Sequence, residues 1–193
     1  MVFVRLGWVA LPATFVVLAS ISNARELSGS VTPQTERFHD WSYRCAESNT
    51  AGDAELKQCE VVQVAKVKQG EEDVSILTLA IARTASVAGE AKNKASEPAL
   101  LLTALVPLNV FLPAGFGMDS DNVKLFEGGY RNCNQAGCWV QQRLDAKMVA
   151  ALQVGQAGAA RIRLMNGQNV TIRFSLKGLT AALAKFKEQV ASN

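Results

Sequence analysis

Four cysteines, Cys45, Cys59, Cys133 and Cys138, constrain this chain more than any other feature, because the sequence ahead of them reads as an export signal. Arg5 supplies a short positive region, an apolar run covers positions 6–18, and Ser22-Asn23-Ala24 places small residues where a signal peptidase cuts. The run is shorter than the ~20 apolar residues needed to span a bilayer, so it reads as a cleavable leader over residues 1–24. No cysteine follows that site closely, so lipid attachment is not expected. Leu100 to Leu112 is the most apolar later stretch, but Pro107 and Asn109 interrupt it. Export leads to an oxidising compartment, periplasmic or secreted, where an even number of cysteines implies disulfides.

Of the three possible connectivities, Cys45–Cys59 with Cys133–Cys138 is expected, since each pair is close in sequence and brackets a polar, turn-like stretch. A zinc site fits poorly. The spacings lack the short C-x2-C of common zinc modules, and His39 is the one imidazole in the chain. A catalytic dithiol fits no better, because redox pairs favour C-x-x-C.

Between the cysteines the chain reads as mostly β. Residues 25–38 are polar and predict a flexible arm. Trp41–Cys45 alternates and predicts the first strand; Ala46–Gln58 is a polar loop, and Cys59–Lys68 is a valine-rich second strand. Val74–Arg83 is nearly continuous in apolar residues and predicts a central strand covered on both faces. Positions 84–97 are small, polar and aperiodic, as an exposed loop would be. Leu100–Leu112 holds strand bent at Pro107, and Val123–Phe126 and Cys138–Leu144 are shorter strands. Asp145 caps a short helix from Ala146 to about Val154. Leu179, Ala182, Leu183, Phe186 and Val190 form one stripe of a C-terminal amphipathic helix. Seven or so strands with turns between them give a single β-sandwich or barrel domain over 39–193.

The last hairpin can be fixed by parity. Asn166-Gly167 first suggests a two-residue turn. That register puts Ile162 opposite Thr171 and sends apolar groups to both faces. A three-residue loop, Met165-Asn166-Gly167, pairs Ile162 with Val170 and gathers Ile162, Leu164, Val170, Ile172 and Phe174 on one face. A one-residue slip would expose a whole strand's apolar set, so the bulged turn with Gly167 left-handed is expected. Arg161, Arg163 and Arg173 then share the outer face as a candidate partner-binding stripe.

Catalytic chemistry is thinly represented. His39 sits in or beside the arm, without the rigid setting a Ser-His-Asp site needs. Gly115-Phe116-Gly117 lacks the third glycine of a dinucleotide fingerprint and reads as a turn. Glu71-Glu72-Asp73 and Asp119–Asp121 read as solvated turns rather than paired acids. Trp41 and Trp139 lie near the cysteines and are expected to pack over the sulfurs. With 20 Lys and Arg against 17 Asp and Glu, the net charge is +3, and removing Arg5 with the leader lowers it by one. That is too small to indicate nucleic acid as partner.

Several blocks together resemble the invasion-associated locus B family of bacterial secreted proteins. They are Trp41-Ser-Tyr-Arg-Cys45 with Cys59; Val106-Pro107-Leu108-Asn109-Val110-Phe111-Leu112-Pro113-Ala114-Gly115; Tyr130-Arg131-Asn132-Cys133 with Gly137-Cys138; and Ser175-Leu176-Lys177-Gly178-Leu179-Thr180-Ala181-Ala182-Leu183. Asn109 stands where the family more often has glycine. The resemblance implies an immunoglobulin-like β-sandwich exported to the bacterial envelope. It brings no catalytic residue and no cofactor. The expected function is that of a non-enzymatic envelope protein that binds another macromolecule or supports the envelope. The alternative is a secreted or surface-associated factor in host-cell invasion. The partner implied is an envelope or host macromolecule. Mass spectrometry of the exported protein should find Arg25 at its N-terminus; a chain still carrying residues 1–24 would mean that the leader is a retained anchor.

Overall fold

The structure, a computed structural model, describes residues 34–48, 56–84 and 99–191. The expected leader, residues 25–33 of the arm and the loop at 85–97 lie outside the described residues. Within the described residues eleven strands form two antiparallel sheets, with two α-helices and one 3₁₀ turn. The strands are β1 (Gln34–Phe38), β2 (Trp41–Ser48), β3 (Leu56–Gln69), β4 (Glu72–Arg83), β5 (Leu100–Val106), β6 (Phe116–Ser120), β7 (Val123–Gly128), β8 (Asn132–Asn134), β9 (Gly137–Leu144), β10 (Ala157–Arg163) and β11 (Asn169–Ser175). The helices are α1 (Ala146–Val154) and α2 (Leu179–Ala191). The large sheet runs β1-β2-β3-β4-β5-β9-β8, and the small one β11-β10-β6-β7.

Alternation decides which side of each strand meets the other layer. In the large sheet Trp41, Tyr43, Val61, Leu77, Leu79, Ile81, Leu102, Ala104, Val106 and Val140 are buried on the inner face. The small sheet answers with Phe116, Met118, Ala160, Ile162, Ile172 and Phe174. Four strands cannot cover seven, and α2 completes the second layer by packing on β1, β2 and β3. Its Leu179, Ala182, Leu183 and Phe186 are all buried, and Phe186 meets Tyr43 with ring centroids 6.3 Å apart. Burying each of the larger three contributes about 1.5–3 kcal/mol. At the seam between the layers, Trp41 Nε1 and Gln63 Nε2 both donate to the Ser175 carbonyl, each at 3.0 Å. Trp41 thus engages β11 rather than the disulfide.

Both disulfides are those expected, and they leave no thiol to bind zinc. Each joins directly opposed residues of neighbouring strands, Cys45 with Cys59 and Cys133 with Cys138, at Cα separations of 4.0 Å. The loop read at 46–58 is correspondingly shorter, because β2 runs to Ser48 and β3 starts at Leu56. The arm also ends earlier than expected. Gln34–Phe38 is a strand that pairs with Trp41–Cys45, and His39-Asp40 is its tight turn. Val74–Arg83 is indeed central, but only alternate residues are buried; Ile76, Thr78, Ala80 and Ala82 are half-buried on the outer face.

The β10–β11 hairpin adopts the parity-derived register. Ile162 stands opposite Val170, Leu164 N–H donates to Gln168 O at 2.8 Å, and Gly167 has φ +86°. Ile162, Ile172 and Phe174 are buried, with Leu164 and Val170 packed against the core. Asp145 caps α1 as expected, accepting from Met148 N–H at 2.8 Å.

Replacing Cys45 and Cys59 by serine should lower unfolding free energy by about 3 kcal/mol, and replacing Cys133 and Cys138 by about 2 kcal/mol, following the lengths of the loops closed. Urea unfolding of the two double variants checks the order. Equal losses would show that the chain-entropy account does not apply here.

Candidate functional site

The outer face of the small sheet is where the sequence placed its basic stripe. Arg161, Arg163 and Arg173 do share that face, opposite Thr171, Asn169 and Ala159 respectively. They do not form a free stripe. Arg161 is ion-paired with Asp119 Oδ2, and its Nη2 lies 3.2 Å from Glu127 Oε1. Asp119 is on β6, where the sequence alone predicts a turn at Gly115-Phe116-Gly117 and a solvated Asp119. Instead Phe116–Ser120 is buried throughout, and only Gly115, with φ +69°, belongs to the turn. A Cβ at Gly117 would come within 2.7 Å of Arg161 Nη2, so a side chain there would push the guanidinium away from its ion pair. Asp121 is structural too, its carboxylate accepting from Gln156 and Ala157 N–H at about 3.0 Å.

Arg163 is exposed and has no carboxylate partner among the described residues. Its guanidinium carbon instead lies 5.8 Å from the centre of the Phe111 ring, a cation–π contact. Phe111 arrives there through the segment after β5. Val110 bridges to Leu164, and Phe111 N–H donates to Arg163 O at 2.7 Å. The chain then leaves β10 in the turn Leu112–Ala114 and rejoins it at Gly117, opposite Arg161. This excursion and the strand surface enclose an open cleft of about 570 Å³ whose lining includes Leu112, Gly117, Glu127, Arg161, Arg163 and Thr171. Glu127, the one carboxylate lining the cleft among the described residues, is held by Arg161 and Lys124 rather than set against a second acid.

The same excursion exposes apolar side chains. Leu108, Phe111 and Leu112 are 52%, 38% and 48% exposed, and Met165, on the adjoining hairpin turn, is 61% exposed. Met165 N–H donates to Asn109 O at 3.0 Å, which ties the two loops together. Asn109 has φ +78°, a conformation that asparagine tolerates better than other non-glycine residues. That accounts for asparagine where the resembled family more often has glycine.

Other residues singled out in the sequence lie elsewhere. His39 is exposed in the β1–β2 turn with φ +53°. Glu71, Glu72 and Asp73 are exposed at the β3–β4 turn, where Lys68 pairs with Asp73 at 3.0 Å. Trp139 lies on the opposite face of β9 from Cys138 by alternation, so it does not cover the sulfurs. Its Nε1 is buried without a partner among the described residues, as is the hydroxyl of Tyr130.

The family profile described as "Invasion associated locus B (IalB) protein" matches residues 41–187. Invasion protein B homologs of two Brucella abortus strains, 2308 and biovar 1 strain 9-941, are each 26% identical over 181 residues, covering 93% of this chain and 94% of theirs. The crystal structure of invasion associated protein B from Bartonella henselae superposes with a TM-score of 0.66 at 18% identity, covering 82% of this chain and 98% of that one.

Burial raises the pKa of Tyr130, and burial followed by the Glu36 carboxylate raises that of Tyr43. These are the chain's 2 tyrosines. The folded state therefore holds both phenolic protons more tightly than the unfolded chain. Stability is fully present below the ordinary tyrosine range and falls as pH rises through the folded values. Ultraviolet titration of the folded protein should place both tyrosinate transitions above that of free tyrosine; a normal midpoint for Tyr130 would mean its ring is open to solvent.

Proposed function

The chain belongs to the invasion-associated locus B family, and from that premise we propose that it is an exported, non-enzymatic protein of the bacterial envelope, periplasmic or secreted, that works by binding another envelope component. The observation that carries this reading is the exposed apolar cluster of Leu108, Phe111, Leu112 and Met165 beside Arg163. Apolar side chains gathered at one place on a surface mark interaction sites more often than scattered ones do. The non-enzymatic part is supported by the setting of the titratable groups. His39 is alone on an exposed turn, and Glu127 and Asp119 are held in ion pairs with Arg161.

The names of the Brucella relatives favour a second reading, in which the bound component belongs to a host cell and the protein contributes to invasion. The two readings use the same surface and differ in what it meets.

A photo-cross-linking residue introduced at Leu112 should give adducts in intact cells, whereas the same residue at Val154, 77% exposed and away from the cluster, should give few. Equal yields at the two positions would remove the case for this surface.

A further inference from the structure

The two disulfides join residues in the same relation, directly opposed on neighbouring antiparallel strands, but the fold holds them differently. Cys45–Cys59 lies inside the large sheet. β2 has β1 on its other side and β3 has β4, and the ladder between β2 and β3 runs three pairs beyond the cysteines in each direction. Cys45 is buried, Tyr43 O–H donates to its Sγ at 2.7 Å, and Cys59 packs against the core. Cys133–Cys138 lies at the edge of the sheet. β8 is three residues long, exposed at each of them, and has no strand on its far side among the described residues. Its ladder with β9 has one pair on either side of the cysteines, Asn132 with Trp139 and Asn134 with Gly137. The side-chain bond that adds to it, Arg131 Nη1 to Gln141 Oε1, is exposed. Cys133 is open to solvent, while Cys138 is 2% exposed. The rings flanking this bond carry orphaned polar atoms. Trp139 follows Cys138 and Tyr130 stands three residues before Cys133, and the indole Nε1 and the hydroxyl are buried with no partner among the described residues. Such groups are rare in folded proteins, and the water they gain on opening lowers the cost of freeing the segment.

We propose that Cys133–Cys138 is a site of thiol–disulfide exchange, opened by a dithiol while Cys45–Cys59 stays closed, and that its opening frees β8 together with residues 128–131. A disulfide in a folded protein resists reduction to the extent that the fold keeps its two sulfurs together once the bond is broken. Seven pairs of an interior ladder keep Cys45 against Cys59. Three pairs of an edge strand keep Cys133 against Cys138, and segments with few buried contacts open first. Exposed disulfides are accordingly the labile ones. In the exchange a thiolate of the dithiol attacks Sγ of the exposed Cys133. The S–S bond breaks, its electron pair leaves on Cys138, and Cys138 takes a proton from solvent as β8 lifts. The second thiolate of the dithiol then attacks the dithiol's own sulfur in the mixed disulfide and displaces Cys133, which is protonated in turn. The protein gains two electrons and two protons, and the dithiol becomes a disulfide. Gly128 and Gly129 line the cleft, so the opening reaches the wall of the candidate site. The inference does not depend on what that site binds.

The test is a redox titration of the purified exported protein over rising ratios of reduced to oxidised dithiothreitol. Free thiols are trapped with N-ethylmaleimide and located by peptide mass spectrometry. Cys133 and Cys138 should become labelled at a ratio about tenfold lower than Cys45 and Cys59, a gap of about 30 mV. Between the two transitions, hydrogen exchange should quicken about tenfold or more across residues 128–134 and stay unchanged across 41–48. Tryptophan fluorescence should move to longer wavelength over the first transition, and Trp139→Phe should abolish that move. Cys133→Ser combined with Cys138→Ser should show the same quickened exchange without reductant, near-ultraviolet circular dichroism showing that the variant is folded. Labelling of all four cysteines together, or of Cys45 and Cys59 first, overturns the exchange site. Unchanged hydrogen exchange across 128–134 in the partly reduced wild-type protein overturns the release of β8.

Discussion

A seven-stranded sheet has one face to bury, and the four-stranded sheet opposite is too narrow to bury it. The rest of the structure follows from how that mismatch is resolved. The small sheet comes closest to the large one at β3, through β11, and at β9, through β7, and the stripe of α2 covers β1, β2 and β3. The exposed edge of the small sheet would otherwise open a gap between strand and helix. It is closed where β11 ends, because the Ser175 carbonyl accepts from both Trp41 and Gln63 of the large sheet. A buried indole N–H needs a partner, and an edge-strand carbonyl has one to offer. The helix begins at Leu179, four residues after that carbonyl, so the seam also sets where α2 starts.

How much of this was legible from the sequence depended on whether the signal was local. Parity fixed the β10–β11 register against the pull of Asn166-Gly167, since turning one strand's apolar set outward costs more than a turn preference yields. The Asp145 cap, the α2 stripe and the disulfide pairs were likewise contained within short stretches. β6 was not. Phe116-Gly117-Met118-Asp119-Ser120 has a glycine and an aspartate in its five residues, both unfavourable in strands. Asp119 is explained only by a residue more than forty positions away, Arg161, whose guanidinium also lies against Gly117. The strand at Gln34–Phe38 was missed for a related reason. Its residues are mostly exposed and polar, and its order comes from pairing with β2.

The same non-local pairing rewrote the electrostatics of the candidate surface. Alternation along β10 and β11 correctly put three arginines on one face, but a face is a property of the sheet and not of a hairpin. Once β6 and β7 are added beside β10, Asp119 and Glu127 come within reach of Arg161 and cancel it. Arg173 stands toward the other end of the hairpin, opposite Ala159. What is left near the hairpin tip is Arg163, alone but aligned with an aromatic ring.

The block from Val106 to Gly115 is one of those that carry the family resemblance, and its physical work can be read from the structure. Val106 ends β5 in the large sheet, and Pro107 follows, unable to donate a further ladder bond. The chain then crosses to the small sheet, where Val110 and Phe111 pair briefly with β10. Asn109, left-handed, makes the corner, and Pro113 and Gly115 shape the excursion before β6 begins. A crossing between sheets needs only the corner and the pairing. It does not need leucine at 108 and 112, which the core does not take up and which stand about half exposed. Exposed leucines cost a domain solubility and gain it no packing. Their presence next to Arg163, which has no carboxylate partner among the described residues, is therefore better accounted for by contact with something outside the fold than by the fold itself.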